Sequence, residues 1–192
     1  MDYANKSAII SAGAIALGIV LGSILYSAGK VAEDSTLIDY FISFAMDFSN
    51  KNKPEILSGI ILSHIPYFIM MLIFGTSVIG TPAVVLLTCI KSMGLGLLTT
   101  YIYSAFSLKG IEYCLLVLFP GKFILIFAMI LLTQSCLVNS ESIRNSLKNK
   151  EGRVVSYDKF ALRSLLILIL IILSALTDFV TIISFSQLFD FN

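Results

Sequence analysis

Five apolar runs dominate this chain, at residues 8–26, 56–74, 82–106, 111–138 and 164–185. A helix that crosses a hydrocarbon core of about 30 Å needs about 20 mostly apolar residues, and backbone polar groups in lipid must be satisfied within a helix or a closed barrel. The runs are too long for barrel strands and lack their period-two alternation. Composition points the same way: 57% apolar and 13% charged residues leave too little polar surface to cover a soluble globule of 192 residues. The expected fold is all-α, a polytopic integral membrane protein with about five transmembrane helices in a single membrane domain covering 1–192.

An odd number of spans puts the termini on opposite sides, and the distribution of Lys and Arg near span ends sets the orientation. With the N-terminus inside, the inner segments hold Lys6, Arg144, Lys148, Lys150, Arg153, Lys159 and Arg163, against Lys30, Lys51, Lys53 and Lys109 outside. The expected topology is an N-terminus in the cytoplasm and a C-terminus outside it, with a basic cytoplasmic loop over 139–163. That loop has a sufficient explanation in topology alone.

Lys6 before an apolar run and the small residues Ser27 and Ala28 after it imitate a secretory signal. The run of about 18 apolar or small residues exceeds the usual signal core of about 7–15, so an uncleaved first span is expected. Within it Ala14, Gly18 and Gly22 recur every four residues and place small side chains on one helix face. Such a face suits close packing inside one protomer or the seam of a homo-oligomer.

Residues 35–50, between the first two spans, carry a different pattern. Leu37, Ile38, Phe41, Phe44, Ala45 and Phe48 recur at helical spacing, while Asp39, Ser43 and Asp47 step by four along the other face. An extracytoplasmic amphipathic helix is expected, capped by Asp34 or Ser35 and ended before Pro54. It could lie flat in the lipid boundary through its phenylalanines, but its acidic face matches anionic headgroups poorly. The face Asp39, Ser43, Asp47 is therefore a candidate surface for a protein partner outside the cell.

Inside the apolar runs, breaks and charges mark the candidate sites. Gly75, Gly80 and Pro82 form a tight uncharged turn between the second and third runs, and Lys91 stands within the third. A charge at the centre of a span costs at least about 2.5 kcal/mol, so it should face protein or water. The fourth run is too long for a straight crossing, and Phe119, Pro120, Gly121 and Lys122 lie near its middle. Proline removes a backbone donor and clashes with the preceding turn, so the helix is expected to kink or break near residue 120, with two half-helices as one outcome. Counted from the cytoplasmic ends at about 1.5 Å per residue, Lys122 and Asp178 lie at the same depth and are expected to pair. His64 and Lys91 also share a level, each about ten residues from the turn.

Other chemistries lack their residues. The single histidine and the cysteines Cys89, Cys114 and Cys136 have no metal-ligand spacing, and thiols in such helices usually pack. Nucleophile elbows, zinc-protease motifs and phosphate-binding loops do not occur. No cofactor, metal or nucleic acid is expected, and the chain is not expected to be an enzyme.

The turn Gly75, Ser77, Gly80, Pro82, followed by Lys91, Gly94 and Gly96 and then by Leu118, Phe119 and Pro120, resembles the stage II sporulation protein M family. The resemblance covers roughly residues 56–127. It departs from the family pattern at Ser92, where a glycine often follows the lysine, and at Gly121 and Lys122, where a Gln-Asn-like pair is usual. It implies a protein of around five spans in the septal membrane of an endospore former, without catalytic activity of its own. Such a protein gathers peptidoglycan-degrading partners for engulfment. The expected function is thus a non-enzymatic scaffold of a cell-envelope complex, surrounded by membrane lipid and recruiting extracytoplasmic cell-wall hydrolases. The alternative is a permease or channel subunit whose pathway is lined by Lys91, Lys122 and Asp178.

Overall fold

In a computed structural model the described residues, 2–28, 53–149 and 157–185, are almost wholly helical, and no strand occurs among them. The elements are α1 (Asp2–Ser27), α2 (Lys53–Gly75), α3 (Gly80–Tyr113), a π-helical segment (Cys114–Leu118), α4 (Phe119–Asn149) and α5 (Tyr157–Phe185). Five stretches are long and apolar enough to cross a membrane: Asn5–Ser27, Lys53–Gly75, Gly80–Ser104, Phe106–Leu147 and Asp158–Phe185. Large apolar side chains such as Leu17, Leu62, Leu86, Phe123 and Leu165 face outward on every helix. In water that surface would be untenable, and in lipid it is the solvated face. The residues 35–50, with Asp39, Ser43 and Asp47, lie outside the described residues.

Small residues decide how α1 meets α3. A methyl group on Gly18 would collide with the Ser92 hydroxyl and the Cys89 carbonyl, and one on Gly22 with the Met93 carbonyl. Gly96 answers from the other helix, closing on the Ile19 backbone. The pairs 18/92 and 22/97 rise together, so α1 and α3 run parallel, and Tyr26 extends the register by accepting a 2.8 Å hydrogen bond from Ser104. The small face of the first span therefore packs within the protomer. Ser92, the departure from the family pattern, fills the space over Gly18 and is fully buried.

Below this pair, α2, α4 and α5 complete the bundle, with α4 and α5 antiparallel. One core joins Ile15, Phe68, Met71, Val84, Met129, Leu132 and Ile171, and a second joins Ile56, Ile60, Ile102, Val117 and Ile182. Between α3 and α4 the buried hydroxyls of Thr88 and Thr133 meet at 2.8 Å.

The chain reverses at Ser107, where φ is 50° and ψ is −123°, in the gap between the third and fourth apolar runs, although the helix assignment of α3 runs through it. Gly110 makes that reversal tight, since a methyl group there would strike the Ile102 carbonyl. One boundary differs from the sequence reading: α4 does not stop at Val138 but continues to Asn149, so the segment from residue 139 begins as helix rather than loop.

Candidate functional site

The turn between α2 and α3 is held from two sides. Within it, Thr76 N–H donates to the Leu72 carbonyl at 3.1 Å, Ser77 N–H to Phe74 at 3.0 Å and Gly80 N–H to Ser77 at 3.1 Å. From α4, Asn139 Nδ2 donates to the Gly75 carbonyl at 3.0 Å and Ser140 Oγ to the Ser77 carbonyl at 2.9 Å. Gly75 packs on Cys136, 2.8 Å from where a methyl carbon would stand to its Sγ, and Gly80 packs on the Phe74 carbonyl. The glycines are thus explained by close approach, and Pro82 sits in the first turn of α3, where its missing N–H costs nothing. Gly94 is half-buried on α3.

Lys91 reaches across to α2. Its ammonium donates to the Ser63 carbonyl at 3.0 Å, next to the Leu62 carbonyl that Pro66, lacking an N–H, leaves without its helical donor. This contact confirms that Lys91 and His64 share a level. His64 is 4% exposed, and neither ring nitrogen has a hydrogen-bond partner among the described residues.

Pro120 does not cut the fourth span into half-helices. Instead the backbone widens into the π-helical turn Cys114–Leu118, and the Phe119 N–H bonds back to the Cys114 carbonyl. That extra residue makes room for the proline ring, after which α4 continues without interruption. The widened stretch is then stitched to α5. Thr181 Oγ1 donates to the Val117 carbonyl and Ser174 Oγ to the Gly121 carbonyl, each at 2.8 Å.

Between those two stitches lies the ion pair anticipated from depth, Lys122 Nζ to Asp178 Oδ2 at 2.7 Å. Gly121 lets α5 come this close, because any side chain there would overlap the Asp178 carboxylate. Asp178 Oδ1 is buried and has no partner among the described residues. Ser174 and Thr181 escaped sequence reasoning although a signal existed. With Asp178 they fall at spacings of four and three, a polar line on one face of an otherwise apolar helix. Asn139 and Ser140 are hidden for a different reason, since they follow the last residue of the fourth apolar run and read as loop.

The sites therefore separate into a clasp at the α2–α3 turn, a Lys91 contact to α2, and a polar seam between α4 and α5. Their chemistry is recognition of backbone carbonyls and one carboxylate, in a polytopic α-helical membrane protein. The family model described as stage II sporulation protein M matches residues 9–181, and the chain belongs to that family of sporulation-related membrane proteins. Comparison with curated proteins and with solved structures returned no significant match.

Proposed function

We propose that this protein is a non-enzymatic membrane scaffold that recruits peptidoglycan-degrading enzymes outside the membrane during engulfment. One observation carries the reading beside family membership: the two lysines inside the apolar runs are engaged by the protein itself, Lys91 by the Ser63 carbonyl and Lys122 by Asp178. Polar groups spent on fastening helices suit a rigid platform. The proposed partner surface is the acidic face Asp39, Ser43 and Asp47, on the extracytoplasmic side of the topology derived from the positive charges. Reversing Asp39 and Asp47 to lysine should abolish co-purification of cell-wall hydrolases while membrane insertion is unchanged. Unaltered co-purification would remove this surface from the proposal.

A permease or channel subunit is the second reading, favoured by the buried His64 nitrogens and Asp178 Oδ1 that lack partners among the described residues. Buried polar atoms of this kind are commonly satisfied by water or a solute. Solute or proton flux in proteoliposomes that disappears in His64→Leu with folding retained would establish that reading and displace the scaffold.

A further inference from the structure

A cavity of about 160 Å³ opens between α4 and α5 at the end of the bundle that holds the α2–α3 turn. One wall is α4, with Ser135, Asn139 and Ser142, and the other is α5, with Lys159, Phe160 and Arg163. The two cations are one helical turn apart on α5, and neither forms an ion pair among the described residues. Glu141, the nearest carboxylate in sequence on α4, is engaged by Arg144. Among the described residues no carboxylate lines the cavity.

Deeper in, the wall supplies neutral donors. Ser135 and Asn139 are buried, at 8% and 7% exposure, and Asn139 uses one amide hydrogen on the Gly75 carbonyl and keeps a second. The Ser142 hydroxyl donates to the Val138 carbonyl at 2.8 Å, which leaves a guanidinium, an ammonium, an amide N–H and the Ser135 hydroxyl, around a space with no carboxylate among the described residues, to match the oxygens of a phosphate group. Phe160 adds an apolar wall, and the apolar run of α5 begins beside Arg163.

We propose that this cavity binds a phosphoester anion, with the headgroup of an anionic phospholipid as its source. The basic residues of 159–163 then do more than orient the chain. They hold a lipid between α4 and α5 one step away from the clasp, because Asn139 belongs to both.

The test uses the full-length protein in nanodiscs of phosphatidylcholine with and without phosphatidylglycerol, and in detergent with inorganic phosphate. Lipid retention is read by native mass spectrometry and stability by thermal unfolding. Three variants are compared: Lys159→Gln with Arg163→Gln, Ser142→Leu, which fills the mouth with both charges kept, and Lys148→Gln with Lys150→Gln as a charge-matched control. Retained phosphatidylglycerol should fall roughly tenfold or more in the first two and hold in the control. Stabilisation by phosphatidylglycerol alone assigns the site to the headgroup, whereas equal stabilisation by inorganic phosphate assigns it to a free anion and overturns the lipid source. Equal loss in the control, or full retention in Ser142→Leu, would overturn the cavity as a site and leave only diffuse charge attraction.

Discussion

Lys122 Nζ and Asp178 Oδ2 stand 2.7 Å apart between α4 and α5, and the two ends of the pair are unequally buried: the lysine side chain is 23% exposed and the aspartate 3%. The carboxylate is the deeper charge, and it depends on the lysine. Removing one member of such a pair costs about 3–5 kcal/mol, because the other remains buried and unpaired. Lys122→Met should therefore lower the unfolding temperature more than Asp178→Asn, which leaves only the shallower charge behind. The exchanged double variant Lys122→Asp with Asp178→Lys should recover much of the loss. Thermal unfolding in mild detergent is the measurement, and harmless single variants would show that the pair does not bear on stability.

The α1–α3 crossing is set by backbone proximity at Gly18, Gly22 and Gly96. Gly22→Val is expected to destabilise by about 1–3 kcal/mol, since a side chain there meets the Met93 carbonyl and cannot be absorbed by a rotamer change. At Gly13, where an added methyl group has nothing within 4 Å, Gly13→Ala should be neutral or mildly stabilising. Equal tolerance at both positions, read by unfolding, would mean that the helices do not approach this closely.

Ser107 carries a positive φ of 50°, a conformation that costs a residue with a Cβ about 1–3 kcal/mol. Ser107→Gly removes that cost at the α3 reversal and should raise the unfolding temperature, offset in part by the freedom that glycine adds to the unfolded chain. A lower unfolding temperature in the variant would show that the serine is unstrained there.

Orientation rests on the inner and outer lysines and arginines. Cysteine introduced at Asp39 should react with a membrane-impermeant reagent in intact cells, and cysteine at Lys148 only after the membrane is opened. External labelling at Lys148 would invert the topology and place the proposed acidic partner surface, and the proposed phosphate cavity, on the opposite sides.

Much of this was legible from residue order. Apolar run length specifies the five long helices, because lipid demands that each backbone close its own hydrogen bonds over about 20 residues. The rise per residue placed Lys122 beside Asp178 and His64 level with Lys91, since depth in a spanning helix is a count along one axis. The recurrence of Ala14, Gly18 and Gly22 identified a close-packing face for the same reason of helical period. Tertiary structure alone decided what that face meets, because the partners Ser92 and Gly96 are about 75 residues away and the choice depends on the shape of both helices. It also decided the fate of Pro120. A lost backbone donor predicts a break locally, yet the π turn carries the helix past the proline, and the hydroxyls of Thr181 and Ser174 fasten the Val117 and Gly121 carbonyls to another helix. The same holds for Asn139 and Ser140, polar residues that belong to a helix because the Gly75 and Ser77 carbonyls of the adjoining turn are there to receive them. A hydrogen bond between distant segments has no signature in either segment alone, and only the packed bundle brings donor and acceptor together.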